Sequence, residues 1–349
     1  MELMKTTKHK LRYWMALGSI FVLLSLGWNM QSVYITVRSE QAMMTTSNNT
    51  TITVLIWHWP FHNTLNISGD VCLDLYNIRN CRLTDDRDML KLSDVVVFHH
   101  KELNDKRYRM PIISRKPGQM WVWATLEAPS NTKNLHKWNN TFHWTLTYRE
   151  DSDIFIPYGQ LVPKLQMHFN TSDKTGLLTW AVSNYHKTQE RASFFTEFSR
   201  YLKVDVYGKA SNKPLCSSCL LPTLSRYYFY LALENSIHKD YITEKLWKNS
   251  FLAGAVPIVL GPPRKNYEKF IPADSFIHVS DFSSAKELAT FLGSMTLKSY
   301  QQYLSWRQEY GVKIYNDWRE RFCMICTKYP HLPRDKVYSN LKGWFEGDS

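Results

Sequence analysis

Residues 227–261 read YYFYLALENSIHKDYITEKLWKNSFLAGAVPIVLG, and their order decides the fold. Tyr227–Leu233 (YYFYLAL) is an aromatic and apolar run of strand length. Thr243–Ala253 (TEKLWKNSFLA) reads as a helix, with Gly254 past its end as a C-cap. Val256–Leu260 (VPIVL) reads as a second strand despite Pro257, and Gly261-Pro262-Pro263 ends it. Strand, helix and strand in that order imply a parallel sheet, whose ligands bind at the carboxyl ends of its strands. The polar loop at that point holds Glu234, Asn235, Ser236, His238, Lys239, Asp240, Tyr241, Thr243, Glu244 and Lys245. Thr243 can cap the helix, whose N-terminus carries partial positive charge suited to phosphate. Lys245 can pair with a pyrophosphate, Tyr241 can stack or donate, and Glu244 can accept from ribose hydroxyls. A merely solvated strand–helix loop would have the same composition.

The same alternation continues on both sides. Upstream, residues 52–57 (ITVLIW), 94–98 (DVVVF) and 121–126 (WVWATL) read as buried parallel strands. Leu177–Ser183 opens a second unit, followed by a helix over Thr188–Leu202 and a short strand over Val204–Tyr207. Downstream, Ser275–Val279 reads as a strand, and Ser284–Met295 and Tyr300–Arg319 as amphipathic helices. A break near 160–176 separates two α/β units. Polar clusters at strand ends, namely Glu127, then Ser183-Asn184 with Arg191, then Glu234-Asn235, point to a ligand held between them. No G-x-G-x-x-G or G-x-x-x-x-G-K-[ST] is present, which argues against nicotinamide and P-loop chemistry. Neither G-x-S-x-G nor H-E-x-x-H occurs.

The chain has 349 residues, 44% hydrophobic and 21% charged, with 13 Trp and 20 Tyr. That composition suits packed cores and excludes a wholly disordered chain. Lys plus Arg number 43 against 31 Asp plus Glu, a net charge of +12, which favours an anionic partner. No basic block or zinc-finger spacing supports nucleic acid.

Residues 13–37 carry no charged side chain and can span a bilayer core of about 30 Å. Lys5, Lys8, Lys10 and Arg12 precede them, so a cytosolic tail (1–12), a signal anchor (13–37) and a stem (38–50) are expected. The rival, a cleaved signal peptide, lacks an A-x-A-like site after Trp28. Five N-x-S/T sequons, at Asn48, Asn49, Asn66, Asn139 and Asn170, agree with a lumenal chain. So do six paired cysteines. Cys216 and Cys219 are expected to pair locally. Cys72 with Cys81 and Cys323 with Cys326 also fit local pairs. Crossed pairs between the two clusters, closing loops of about 250 residues, would remove more unfolded-chain entropy.

The run from Glu234 to Val279 resembles the donor-binding signature of animal α-1,3-fucosyltransferases. WHWPF (57–61), VVFHHKEL (96–103), WVWATLEAPS (121–130), YREDSDIFIPYG (148–159) and VSN (182–184) extend the resemblance over nearly all of the chain beyond the stem. PLCSSCLLPT (214–223) and DWRERFCMICTKYPHLPR (317–334) look most like the family's leukocyte-type branch. The resemblance implies an α/β enzyme of GT-B type, with two Rossmann-like domains facing a cleft. The acceptor-side domain would span 51–165 and the GDP-fucose-binding domain 166–318, with 319–349 returning to the first. It implies inverting transfer of L-fucose to GlcNAc of α-2,3-sialylated type 2 lactosamine on glycoproteins and glycolipids, at the Golgi membrane. The alternatives are transfer to neutral lactosamine and a non-catalytic tethered lectin.

By resemblance, Glu127 is the catalytic base, although Ala128 stands where the family usually has Ser. Arg191 and Lys245 would face the pyrophosphate, and Glu244 the ribose. Asn235, Tyr241, Ser183 and Asn184 would be further donor contacts. His99, His100, Lys101 and Trp59 would lie on the acceptor side, Lys101 pointing to type 2 chains. Asp151-Ser152-Asp153 has the D-x-D form of a manganese site but is read here as locally bonded. No cofactor is required on this reading, and manganese is expected to be at most a stimulant.

Overall fold

The computed structural model describes residues 50–105, 107, 109–164 and 173–347. The expected tail, anchor and nearly all of the stem lie outside these residues, as do Asn48, Asn49 and Asn170. Among the described residues no helix is long and apolar enough to cross a membrane.

Six strands build the first sheet: β1 (Ile52–Ile56), β2 (Cys81–Thr84), β3 (Val95–His99), β4 (Met120–Ala124), β5 (Trp144–Thr147) and β6 (Ile154–Phe155). Their order is β2-β1-β3-β4-β5-β6, all parallel. β7 (Gly159–Pro163) leaves that sheet. The second sheet uses β8 (Gly176–Ala181), β9 (Asp205–Tyr207), β10 (Tyr227–Leu233), β11 (Val256–Leu260) and β12 (Ile277–His278). It runs β12-β11-β10-β8-β9, again parallel. A last strand, β13 (Tyr310–Ile314), pairs antiparallel with β7.

Period-two alternation gives each sheet two apolar faces. Val95, Val97, Val122 and Ala124 share one core with Phe322 and Ile325, whereas Val96, Phe98 and Trp123 face another with Leu341 and Phe345. In the second sheet Phe229, Leu231 and Leu233 face one core, and Tyr230 and Ala232 the other. Residues beyond 318 thus complete both cores of the first sheet. Cys72–Cys323 and Cys81–Cys326 fix the helix Trp318–Lys328 there, and Cys216 pairs with Cys219. The crossed arrangement is therefore the one formed. Closing the 251-residue loop removes about 5 kcal/mol of unfolded-chain entropy by polymer arithmetic.

Two expectations need correction. The helix read over Tyr300–Arg319 is broken into a helix at Leu297–Gln302, the strand β13, and a new helix from Trp318. Gly311 disfavours a helix interior, the β-branched Val312 and Ile314 favour the extended form, and β7 supplies the ladder. Asp317 then restarts the helix by accepting from Arg319 N at 2.9 Å. Thr243 sits at the N-cap of its helix but makes no capping bond, because its hydroxyl is bonded to Glu234 instead. That helix widens over Trp247–Leu252, where Ala253 N reaches Lys248 O, five residues back. Gly254, at φ +81°, ends it as expected.

Candidate active site

The carboxyl ends of β8 and β10 open onto a cavity of about 610 Å³. Ser183, Asn184, Arg191, Asn235, Glu244 and Lys245, all singled out in the sequence, line it together. Gly208 also lines it, at φ +108°, where a Cβ would stand 2.1 Å from Val182 O. Only glycine lets that backbone approach. A second cavity of about 350 Å³ shares Arg191 and Asn235, and Ser130 from the first-sheet half lines it too. The halves meet there: Ser130 Oγ donates to Ser236 Oγ at 2.7 Å, and Glu150 N to Asp240 Oδ2 at 3.0 Å.

Arg191 is the second residue of the helix Glu190–Phe198 and is 4% exposed. Its guanidinium donates to Gln189 Oε1 at 2.9 Å and to the carbonyls of Leu233 and Asn184. Among the described residues no carboxylate pairs with it. Burial lowers it from its ordinary value, but a guanidinium stays charged. The site therefore holds an inward-facing cation whose hydrogen bonds among the described residues go to neutral acceptors, with Glu234 and Glu244 near enough to favour its charge, beside the N-terminus of a helix.

Lys245 is placed differently. Its ammonium lies 3.0 Å from Glu234 and 3.1 Å from Glu244. Burial alone would push it down, but the two carboxylates outweigh that and hold it above its ordinary value. Glu234 is 3% exposed and accepts from Thr243 N (2.8 Å), Thr243 Oγ1 (2.8 Å) and Lys245. Burial pushes its carboxyl up, with Lys245 opposing. Three donors converge on its oxygens, so the charged form is the one this geometry satisfies.

At the first sheet, Glu127 follows β4 and is half-buried. Asn131 Nδ2 lies 3.5 Å from its Oε2, and Thr125 Oγ1 accepts from its backbone amide. Its neighbour Leu126 lines the large cavity and accepts from Tyr158 hydroxyl at 2.7 Å. Tyr241 is 3% exposed, packed at 5.0 Å against Tyr148 within a core of the first half. It lines neither cavity.

His99 bonds Glu102 and is buried, whereas Lys101 is exposed. His100 accepts from Trp123 Nε1 at 3.0 Å and reaches Lys133 O at 2.9 Å. Burial lowers His100 to about 4, so it is neutral. Trp59 is buried and donates to Asp85 at 2.9 Å. The D-x-D carboxylates are both engaged. Asp151 pairs with Arg149 (2.7 Å) and Lys239 (3.0 Å). Asp153 accepts from Thr145 N (2.9 Å), Lys336 (2.6 Å) and Tyr338 (2.8 Å).

The structure adds residues to the site that sequence reasoning passed over. Glu234 appeared only as one polar residue among many, and its burial against Lys245 has no signature in composition. Arg321, 2% exposed, lines the large cavity and donates to the carbonyls of Ile156 (2.8 Å) and Tyr315 (2.6 Å). Nothing in its helical context distinguished it from a surface cation. Asn66 is exposed and Asn139 partly so, the latter accepting from Leu341 N at 3.1 Å.

Two family models match: "Fucosyltransferase, N-terminal" over residues 49–159 and "Glycosyltransferase family 10 (fucosyltransferase) C-term" over residues 171–344. The chain is 48% identical to alpha-(1,3)-fucosyltransferase 7 of Rattus norvegicus over 340 residues, 97% of this chain and 90% of that one. To the Homo sapiens protein of the same name it is 50% identical over 297 residues, 85% and 86% of the two chains. It is 41% identical to 4-galactosyl-N-acetylglucosaminide 3-alpha-L-fucosyltransferase 9 of Mus musculus, over 84% and 82% of the chains. A crystal structure of an alpha1,3-fucosyltransferase with GDP-fucose shares the fold, with a TM-score of 0.53 at 17% identity, covering 83% of this chain and 93% of that one. Identity and coverage of this extent place the chain in the α-1,3-fucosyltransferases of glycosyltransferase family 10.

Proposed function

We propose that the enzyme takes L-fucose from GDP-β-L-fucose and joins it to the 3-hydroxyl of GlcNAc in α-2,3-sialylated type 2 N-acetyllactosamine, giving sialyl Lewis x. The observation that carries the donor half is Arg191, a buried cation at a cavity edge whose hydrogen bonds among the described residues go to neutral acceptors. A diphosphate suits such a charge, and the helix N-terminus beside it adds in the same sense. Glu244, half-exposed and bonded to Lys245, is available to ribose hydroxyls. The two-sheet architecture is read as GT-B type, with donor and acceptor meeting between the halves.

The chemistry is a single displacement. The Glu127 carboxylate takes the proton of the acceptor 3-hydroxyl as that oxygen bonds to fucose C1. The bond from C1 to the β-phosphate oxygen breaks, and GDP leaves with the electron pair. Arg191 stabilises the charge growing on the departing phosphate, and Lys245 keeps the adjoining carboxylates neutralised. Attack opposite the leaving group inverts C1. No metal is needed for this balance of charge. The reading also places the enzyme at the Golgi membrane on an N-terminal anchor.

Support for the anionic acceptor comes from the net charge of +12 and from the likeness to the leukocyte-type branch. The test compares fucose transfer by the full chain to sialylated and to neutral lactosamine. Strong preference for the sialylated acceptor is expected. Equal or greater use of the neutral one would leave the α-1,3-fucosyltransferase activity standing and remove the sialylated acceptor.

A further inference from the structure

Phe61 and His62 are consecutive non-glycine residues in the left-handed region, at φ +56° and +59°. Such backbone is costly for residues with a Cβ, and persists where surrounding structure enforces it. The enforcement is visible. Trp59 and Pro60 are buried just before, with Trp59 bonded to Asp85. The turn throws the Phe61 side chain outward, leaving it 44% exposed. An ordinary turn would be made with glycine or asparagine, so a phenylalanine held here in solvent calls for a use.

The ring is fixed on two sides. Its centroid lies 5.1 Å from the buried ring of His99, and the Lys101 ammonium lies 4.7 Å from it. His99 in turn meets Trp318 at 5.3 Å, and Trp318 lines the 610 Å³ cavity. An aromatic row thus runs from the cavity wall to solvent. His99 is also the register partner of Ala124, the last residue of β4, three residues before Glu127. From β1 across β3 to β4 is two strand spacings, about 10 Å. Among the described residues no carboxylate pairs with Lys101.

We propose that Phe61 and Lys101 form the subsite for the terminal, carboxylate-bearing sugar of the acceptor. The Phe61 ring would take the apolar face of that sugar, and the Lys101 ammonium its carboxylate. The inference rests on the sialylated acceptor proposed above and names the residues that would read it.

The test uses the full chain with sialylated and neutral lactosamine side by side. Phe61→Gly relieves the backbone and deletes the ring, so the melting temperature should not fall. KM for the sialylated acceptor should nevertheless rise by roughly tenfold, with kcat changing less. Phe61→Trp should restore most of that KM. Lys101→Met should lower the sialylated-to-neutral preference by about tenfold, the worth of one charge-assisted contact. An unchanged KM in Phe61→Gly, or an unchanged preference in Lys101→Met, would overturn the subsite. A wild-type chain that fucosylates only neutral lactosamine would instead remove the acceptor reading and this subsite with it.

Discussion

The two sheets present different chemistry at their carboxyl ends. At the first, neutral bonds and ring packing hold the residues around β4, with His100 between Trp123 and Lys133, Tyr241 against Tyr148 and Glu127 in one long contact to Asn131, while the ion pair Arg149–Asp151 follows β5. At the second, charge dominates: Arg191 faces only carbonyl and amide acceptors, and Lys245 sits between Glu234 and Glu244. A neutral, aromatic edge suits the positioning of a hydroxylated sugar. A charged edge suits a nucleoside diphosphate.

The sharpest way to break this contrast is at Glu127, the half-buried carboxylate assigned chemistry on the first edge. Glu127→Gln should lower transfer by roughly 10²–10⁴ while GDP binding, read by calorimetry, is kept. Near-normal turnover would move the base elsewhere. On the charged edge, Lys245→Ala leaves Glu234, whose side chain is 1% exposed, without its cation. Breaking such a buried pair costs about 3 kcal/mol or more, and Glu234→Gln in the same chain should recover part of it. A melting temperature within about 2 °C of wild type would show that the pair is not structural.

Arg191→Ala tests the unpaired cation directly. GDP affinity should drop by about 10- to 100-fold, as for loss of a charge-assisted contact. Unchanged affinity would place the diphosphate elsewhere.

The neutral edge makes its own prediction in acid. Burial lowers His100 to about 4, against an ordinary value of 6.5, and His58 and His143 are lowered to about 4 in the same way. The unfolded chain therefore binds more protons between those values. Stability should be complete above about pH 6.5 and fall as the pH drops toward 4. His100→Gln should flatten that slope, by about 1–2 kcal/mol at pH 5. A melting temperature independent of pH over this window would show that these rings are not buried neutral. The smallest effect belongs to Asp151, whose ion pairs are partly exposed. Asp151→Asn should change transfer less than severalfold, and activity should survive EDTA at least in part. Complete, manganese-restorable loss would make the D-x-D segment a metal site.

How much of this was legible depended on what kind of signal each part carries. β3, β10 and β11 announced themselves as β-branched or aromatic runs bounded by polar residues. β13 did not, because YGVKI lies inside a span read as one helix and is decided by its partner β7, far away in sequence. The two α/β units and their break were readable from pattern, whereas the return of residues beyond 318 into the first core was expected only from the family resemblance. The cavity-lining set of Ser183, Asn184, Arg191, Asn235, Glu244 and Lys245 came largely from family resemblance, since their composition also fits a solvated loop. Tyr241 shows the converse error of local reading. It lies among polar residues in sequence, yet its ring fills a core.

The crossed disulfides impose an order on synthesis. Cys72 and Cys81 precede their partners by 251 and 245 residues. At about 5–20 residues per second they wait on the order of 10–50 s for the second pair to be made. For that interval they are nine positions apart, with each other as the nearest thiol. Any bond formed between them early must be exchanged before the helix Trp318–Lys328 can dock. A ribosome that stops before Cys323 therefore releases a chain whose second sheet is fully encoded but whose first sheet lacks both its clamps and one wall of its core.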